Sequence, residues 1–174
     1  GRIAQLVAGY ARAFGMEVIW WASDEGRARA RADGETVAES REAFFAKSDV
    51  ISLHLRLTEA TNGVVAATDL AQMKPTSLLV NTARAGLIAP GALLQALEAG
   101  RPGMAAVDVF DLEPQRDAGD PLLAHPRLIC TPHIGFVTEE ELDRQFADIF
   151  DQVNAYAAGA PIHMINPEVL TPSS

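Results

Sequence analysis

The 174 residues suit one domain of ordinary size, and a hydrophobic fraction of 48% is enough to build a core. A formal net charge of -9 argues against a nucleic-acid surface, which needs a basic patch, and against an anionic membrane face. Cys130, the one cysteine, leaves neither an internal disulfide nor a thiol cluster for a metal, which fits a reducing, cytoplasmic setting, and every apolar run falls far short of the roughly 18 residues of a membrane helix.

Gly1-Arg2-Ile3-Ala4 opens directly into a helical pattern in which Ile3, Leu6, Val7, Tyr10 and Phe14 share one face. In a dinucleotide-binding unit a strand ending in a Gly-rich turn leads into such a helix. Gly1 then reads as the second glycine of G-x-G-x-x-G/A and Ala4 as its third small position, with a first strand expected upstream in a longer polypeptide. Residues 17–21 read as a strand, 25–32 as a helix ended by Gly34, and 35–37 as a short strand. A helix over 39–46 precedes a strand over 50–54, and a short helix over 69–73 stops before Pro75. The strand 78–80, a helix from Pro90 to 99 closed by Gly100, and the strands 104–107 and 128–130 follow. Thr138-Glu139-Glu140-Glu141 has capping-box form and starts a long helix. Its apolar stripe of Leu142, Phe146, Ile149, Phe150, Val153 and Tyr156 is expected to face the core, as is Cys130. This alternation predicts an α/β fold, a doubly wound parallel sheet of Rossmann-like form lacking its first strand. Residues 1–158 would form the dinucleotide-binding domain and 159–174 a tail returning toward a substrate lobe.

Three loops follow short apolar runs and therefore sit at strand carboxyl ends, the edge where open α/β sheets bind ligands. They are Asn81-Thr82-Ala83-Arg84-Ala85-Gly86, Asp108-Val109-Phe110-Asp111-Leu112-Glu113-Pro114 and Thr131-Pro132-His133-Ile134-Gly135. Together they supply a guanidinium to hold an anion, an imidazole to move a proton and a carboxylate to orient that imidazole. Isolated residues of these types usually cap turns or meet solvent, but three at successive strand ends point to hydride chemistry on a small acid. Arg27, Arg29 and Arg31 read as a solvated helix face, and Trp20 and Trp21 as packing residues.

With Ser48-Asp49-Val50-Ile51-Ser52-Leu53-His54-Leu55, Met73-Lys74-Pro75 and Ala106-Val107-Asp108-Val109-Phe110, these segments resemble the NAD-binding domain of the D-isomer-specific 2-hydroxyacid dehydrogenases over almost the whole chain. The resemblance implies that Arg84 binds the substrate carboxylate and carbonyl oxygen, that His133 is the acid/base, and that Glu113 is its partner. It implies cofactor contacts from Gly1, Arg2, Ile3, Ala22, Ser23, His54, Leu55, Arg56, Thr61, Thr82, Ala83, Arg84, Asp108, His133 and Gly135. Asp108 either lies near the nicotinamide or caps its own turn. The implied ligands are NAD(H), with NADP(H) admitted, and a small 2-hydroxy or 2-keto acid, in a homodimer of the full-length protein; a dinucleotide-binding corepressor-like protein is the alternative. Two positions depart from the family pattern: Ala22, where NAD-selective folds place an acid, and Arg56, where the family more often has Pro.

Overall fold

The computed structural model describes residues 1–117 and 119–170, which fall into two compact units, Gly1–Gly135 and Phe136–Ser174. Compactness thus divides the chain at Gly135, ahead of the long helix, whereas the sequence pattern alone set a boundary after residue 158. Residues 171–174 of the expected tail lie outside the described residues.

The first unit is organised by β1 (Val50–Leu53), β2 (Leu78–Asn81), β3 (Met104–Val107) and β4 (Leu128–Cys130), all parallel and in the order β1-β2-β3-β4. Each strand is an apolar run of three or four residues, the composition of a sheet covered by other elements. Ile51, Leu53, Leu79, Ala105 and Val107 are buried from the sheet, and Leu70, Met73, Leu87, Ile88, Leu93 and Leu97 complete the core. The parallel register needs crossovers. Between β1 and β2 the chain passes through a 3-10 turn, Glu59–Thr61, and α4 (Ala67–Leu70); between β2 and β3 it passes through a second 3-10 turn, Ala85–Leu87, and α5 (Ala92–Ala99).

Before the sheet lie α1 (Arg2–Ala13), α2 (Asp24–Ala32) and α3 (Arg41–Lys47). Ser23 and Ser40 cap the latter two, each accepting an amide hydrogen bond three residues on, from Gly26 at 3.2 Å and from Ala43 at 3.0 Å. Four expectations are corrected. Residues 17–21 and 35–37 do not form strands; they meet in one parallel bridge, Trp20 with Val37, because a ladder needs several successive residues in register with a neighbour. Helix α5 begins after Gly91, whose φ of 72° is left-handed, so Pro90 stands outside it. Cys130 is exposed, since β4 is the sheet edge. In the second unit, α6 (Glu139–Ala157) is capped by Thr138 as expected, but none of its described residues is buried, and its apolar stripe is a surface.

Candidate active site

The site grows from the carboxyl ends of β2, β3 and β4. Asn81 closes β2 and is buried; its Nδ2 donates to the carbonyl of Arg84 at 2.9 Å and its Oδ1 accepts from the Ala83 amide at 3.1 Å. A single side chain therefore folds Thr82, Ala83 and Arg84 into a tight turn, the job short amides do well. Arg84 then leads into the 3-10 turn, with its own side chain exposed and Nη1 donating to the Ala83 carbonyl at 2.6 Å.

One residue past β3, Asp108 is buried with a full set of donors. Its carboxylate accepts from the Thr131 hydroxyl, from the Ile134 amide at 3.0 Å and from the Gly135 amide at 2.8 Å. Burial alone would push this carboxyl up, but the Thr131 hydroxyl, the two amides and the charge of His133 hold it below the usual carboxylate range. Gly135 is required here: a Cβ would stand 2.9 Å from Asp108 Oδ2. The segment so anchored carries His133 with a φ of 58°, a left-handed conformation that costs a non-glycine residue on the order of 1 kcal/mol or more and persists only when its surroundings impose it.

Glu113 divides its two oxygens. Oε1 accepts from the Phe110 amide at 2.9 Å, and Oε2 meets His133 Nδ1 at 2.6 Å. The Phe110 amide first, then the His133 hydrogen bond, and further the charges of His133 and Arg84, keep the Glu113 carboxyl below its ordinary range. An ionised carboxylate only accepts, so the Glu113 contact assigns the Nδ1 proton to His133 and leaves Nε2 the other ring nitrogen. Glu113 thus lies within electrostatic reach of both Arg84 and His133, the residues read with it as a triad from residue types.

The other residues expected to hold the cofactor lie in the same unit. Gly1 precedes α1, a 12-residue helix whose start has no side-chain cap and no acidic residue in its first turn, formed by Arg2, Ile3 and Ala4. Burial lowers the pKa of His54, just past the end of β1. The His54 ring bonds Ser52 Oγ at 2.9 Å, leaving its backbone and the exposed Leu55 and Arg56 to line the edge. Thr61 Oγ1 donates to the Arg56 carbonyl at 2.6 Å and closes that loop. Ala22 and Ser23 start α2, but Arg27 is no solvated residue: it stacks 4.3 Å over Trp21, donates to the Ala22 carbonyl at 2.6 Å and pairs with Asp24. Sequence reasoning missed the ordering roles of Asn81 and Thr131; an Asn at a strand end two residues before a turn amide is the signal that was available for the first.

A parallel α/β sheet with a His–Glu pair beyond the carboxyl ends of its strands is the architecture of a dinucleotide-binding domain. Residues 1–135 match the family described as D-isomer specific 2-hydroxyacid dehydrogenase, NAD binding domain, and the chain belongs to that family. It is similar to the glyoxylate reductase of Aeropyrum pernix, 36% identical over 174 residues, covering 98% of this chain and 50% of that protein. Among solved structures it is similar to a Ralstonia solanacearum oxidoreductase, with a TM-score of 0.93, 48% identity and coverage of 99% of this chain and 50% of that one. It is also similar to an acyclic imino acid reductase solved with NADPH and D-Arg, with a TM-score of 0.73, 27% identity and coverage of 95% and 51%. The chain spans about half the length, or less, of the curated relatives it matches.

Proposed function

We propose that this chain is the dinucleotide-binding part of a nicotinamide-dependent oxidoreductase that interconverts a small 2-hydroxy acid and its 2-keto acid. The observation that carries the reading is the 2.6 Å contact of Glu113 Oε2 with His133 Nδ1, within electrostatic reach of Arg84 at the carboxyl edge of a parallel sheet. The residues present suit NAD(H). The uncapped first turn of α1, with Gly1, Arg2 and Ile3, offers amides and a helix dipole to a pyrophosphate. Ala22 and Ser23 would border the adenosine. His54, Leu55, Arg56 and Thr61 would line the middle, and Thr82, Ala83, Arg84, Asp108, His133 and Gly135 the nicotinamide end. When bound, the cofactor supplies the hydride acceptor or donor.

The protein's own groups do the rest. In oxidation His133 takes the hydroxyl proton at Nε2, and the Glu113 carboxylate fixes the ring tautomer and favours the imidazolium that forms. In reduction His133 returns that proton to the keto oxygen. Arg84, planar, forked and permanently charged, matches a substrate carboxylate and polarises the keto oxygen. Asp108 holds the segment that presents the imidazole. Arg27 beside Ala22 opposes the carboxylates of Asp24 and Glu25 where a 2′-phosphate or a ribose hydroxyl would rest, so NADP(H) is accepted as well as NAD(H). Residues 1–158 are read as the dinucleotide domain and 159–174 as a connection to a substrate lobe. The reading includes a homodimer of the full-length protein in a reducing, cytoplasmic setting, which a single-cysteine sequence suits.

His133→Ala in the full-length gene product tests the reading. Turnover of glyoxylate or hydroxypyruvate should fall by roughly 10²- to 10⁴-fold while cofactor affinity, followed by titration of nicotinamide fluorescence, stays nearly constant. Unchanged turnover would remove His133 from the chemistry.

A further inference from the structure

A second ion pair lies away from the acid/base groups. The Asp69 side chain is only 10% exposed and receives a forked pair of bonds from Arg41, Nε to Oδ1 and Nη2 to Oδ2, both at 2.6 Å. Burial opposes the charge on Asp69, yet the Arg41 bonds and the Ala66 amide win and hold the carboxyl below its usual range. Each partner also grips the backbone of one short segment. Arg41 Nη2 donates to the Val64 carbonyl, and Asp69 Oδ2 accepts from the Ala66 amide at 2.7 Å.

Between those two grips sits Val65, buried and bridged in parallel to Ile88. The Val65 amide donates to the Leu87 carbonyl and the Ala89 amide to the Val65 carbonyl, both at 2.9 Å, and the Gly63 amide reaches the Gly86 carbonyl at 2.8 Å. Those carbonyls belong to the 3-10 turn that Arg84 begins. Gly86 is further confined by Leu57, whose Cδ2 would stand 3.1 Å from any Cβ there. A short series of bonds therefore joins Arg41 and Asp69 to the backbone that carries the Arg84 guanidinium. The pair is only part-buried, with the Arg41 side chain 37% exposed, so it stabilises weakly, but a forked pair fixes orientation as well as distance.

We infer that Arg41 and Asp69 are positioning residues for Arg84, holding its turn so that the guanidinium meets the substrate carboxylate. This rests on the proposed role of Arg84. The test uses Arg41→Lys, Arg41→Met, Asp69→Asn and Arg84→Lys in the full-length protein, with glyoxylate as the probe. Arg41→Met should raise the KM for glyoxylate on the order of tenfold, the cost of sub-ångström misplacement, and lower kcat with it, while the fluorescence-titrated cofactor Kd stays within about twofold. Arg41→Lys, which keeps the charge but not the fork, should recover part of that KM, and Asp69→Asn should match Arg41→Met. Should Arg41→Met fail to fold, the same comparison is made on Arg41→Lys, whose KM must then exceed wild type. A lowered Tm with unchanged KM in these variants, while Arg84→Lys does raise KM, overturns the positioning role alone. Unchanged KM in Arg84→Lys removes the reading of Arg84 and this inference with it.

Discussion

The amino and carboxyl ends of the same four strands are built on opposite plans. At the amino ends polar groups are spent on holding the sheet together. Ser77 Oγ donates to the Lys74 carbonyl at 2.7 Å, Arg101 Nη1 to the Met73 carbonyl at 3.0 Å, and Arg127 to the Leu97 carbonyl. Gly103 passes so close to the Pro75 turn that a Cβ would stand 2.1 Å from the Pro75 oxygen. At the carboxyl ends, side chains bond to each other and to loop amides, and the charges of Arg84, Glu113 and His133 are kept near the surface. One edge is closed and the other is poised for a ligand, which is why a change at the first should act on stability and a change at the second on chemistry.

Asp108→Ala should produce the largest departure. It removes the acceptor of three donors in the segment that aims His133, so kcat should fall about 10²-fold. A kcat within twofold of wild type would show that the His133 loop holds itself. At the other edge Gly103→Ala should cost roughly 1–3 kcal/mol of stability, read from denaturant unfolding, because backbone must shift to admit the methyl group. Its kcat per folded molecule should not change, and a selective loss of kcat would break the division between the edges. Cofactor choice should be less sharply set: the kcat/KM ratio for NADH against NADPH should not exceed about a hundredfold, or about 2.7 kcal/mol, because Arg27 and Asp24 offset each other. A larger ratio in either direction would mean one of the two dominates.

The smallest effect separates the edges by acid. Asp108 and Glu113 are held below their ordinary values, so the folded state binds fewer protons there than the unfolded chain. Their contribution is complete above a pH of about 5.5, past the unfolded Glu value, and is lost as pH falls through the lowered values. Hydrogen exchange on acidification should therefore release the amides of Phe110, Ile134 and Gly135 before that of Met104, which is bonded to the Ser77 carbonyl. Release in the opposite order would place the weak edge at the amino ends.

Much of this was legible in the sequence because it is local. The runs at 50–53, 78–81, 104–107 and 128–130 are short, apolar and followed by loops, and residue types at strand ends were enough to select Arg84, Glu113 and His133. What escaped depends on neighbours. The 17–21 pattern is as apolar as a strand, but pairing is a property of two segments, and only Trp20 and Val37 achieve it. The stripe on α6 shows which face is apolar without showing what covers it, and Cys130 looks like a core thiol until β4 proves to be the edge. Arg27 on Trp21 spans six residues; Arg41 on Asp69 spans 28, beyond any window that periodicity can read.

The parallel register also acts as a ruler. Leu53, Asn81, Val107 and Cys130 are successive partners across the sheet, so all four strands end on one level. The loops that carry the guanidinium and the imidazole leave β2 and β4 from that level, two interstrand spacings or about 9.6 Å apart. The interval between the starts of the Arg84 and His133 loops is thereby set by backbone hydrogen bonding, and the turns held by Asn81 and Asp108 carry it to the side chains. On the proposed function, such a frame would let the loops change length or side chains to suit different small acids while their starting interval stays constant.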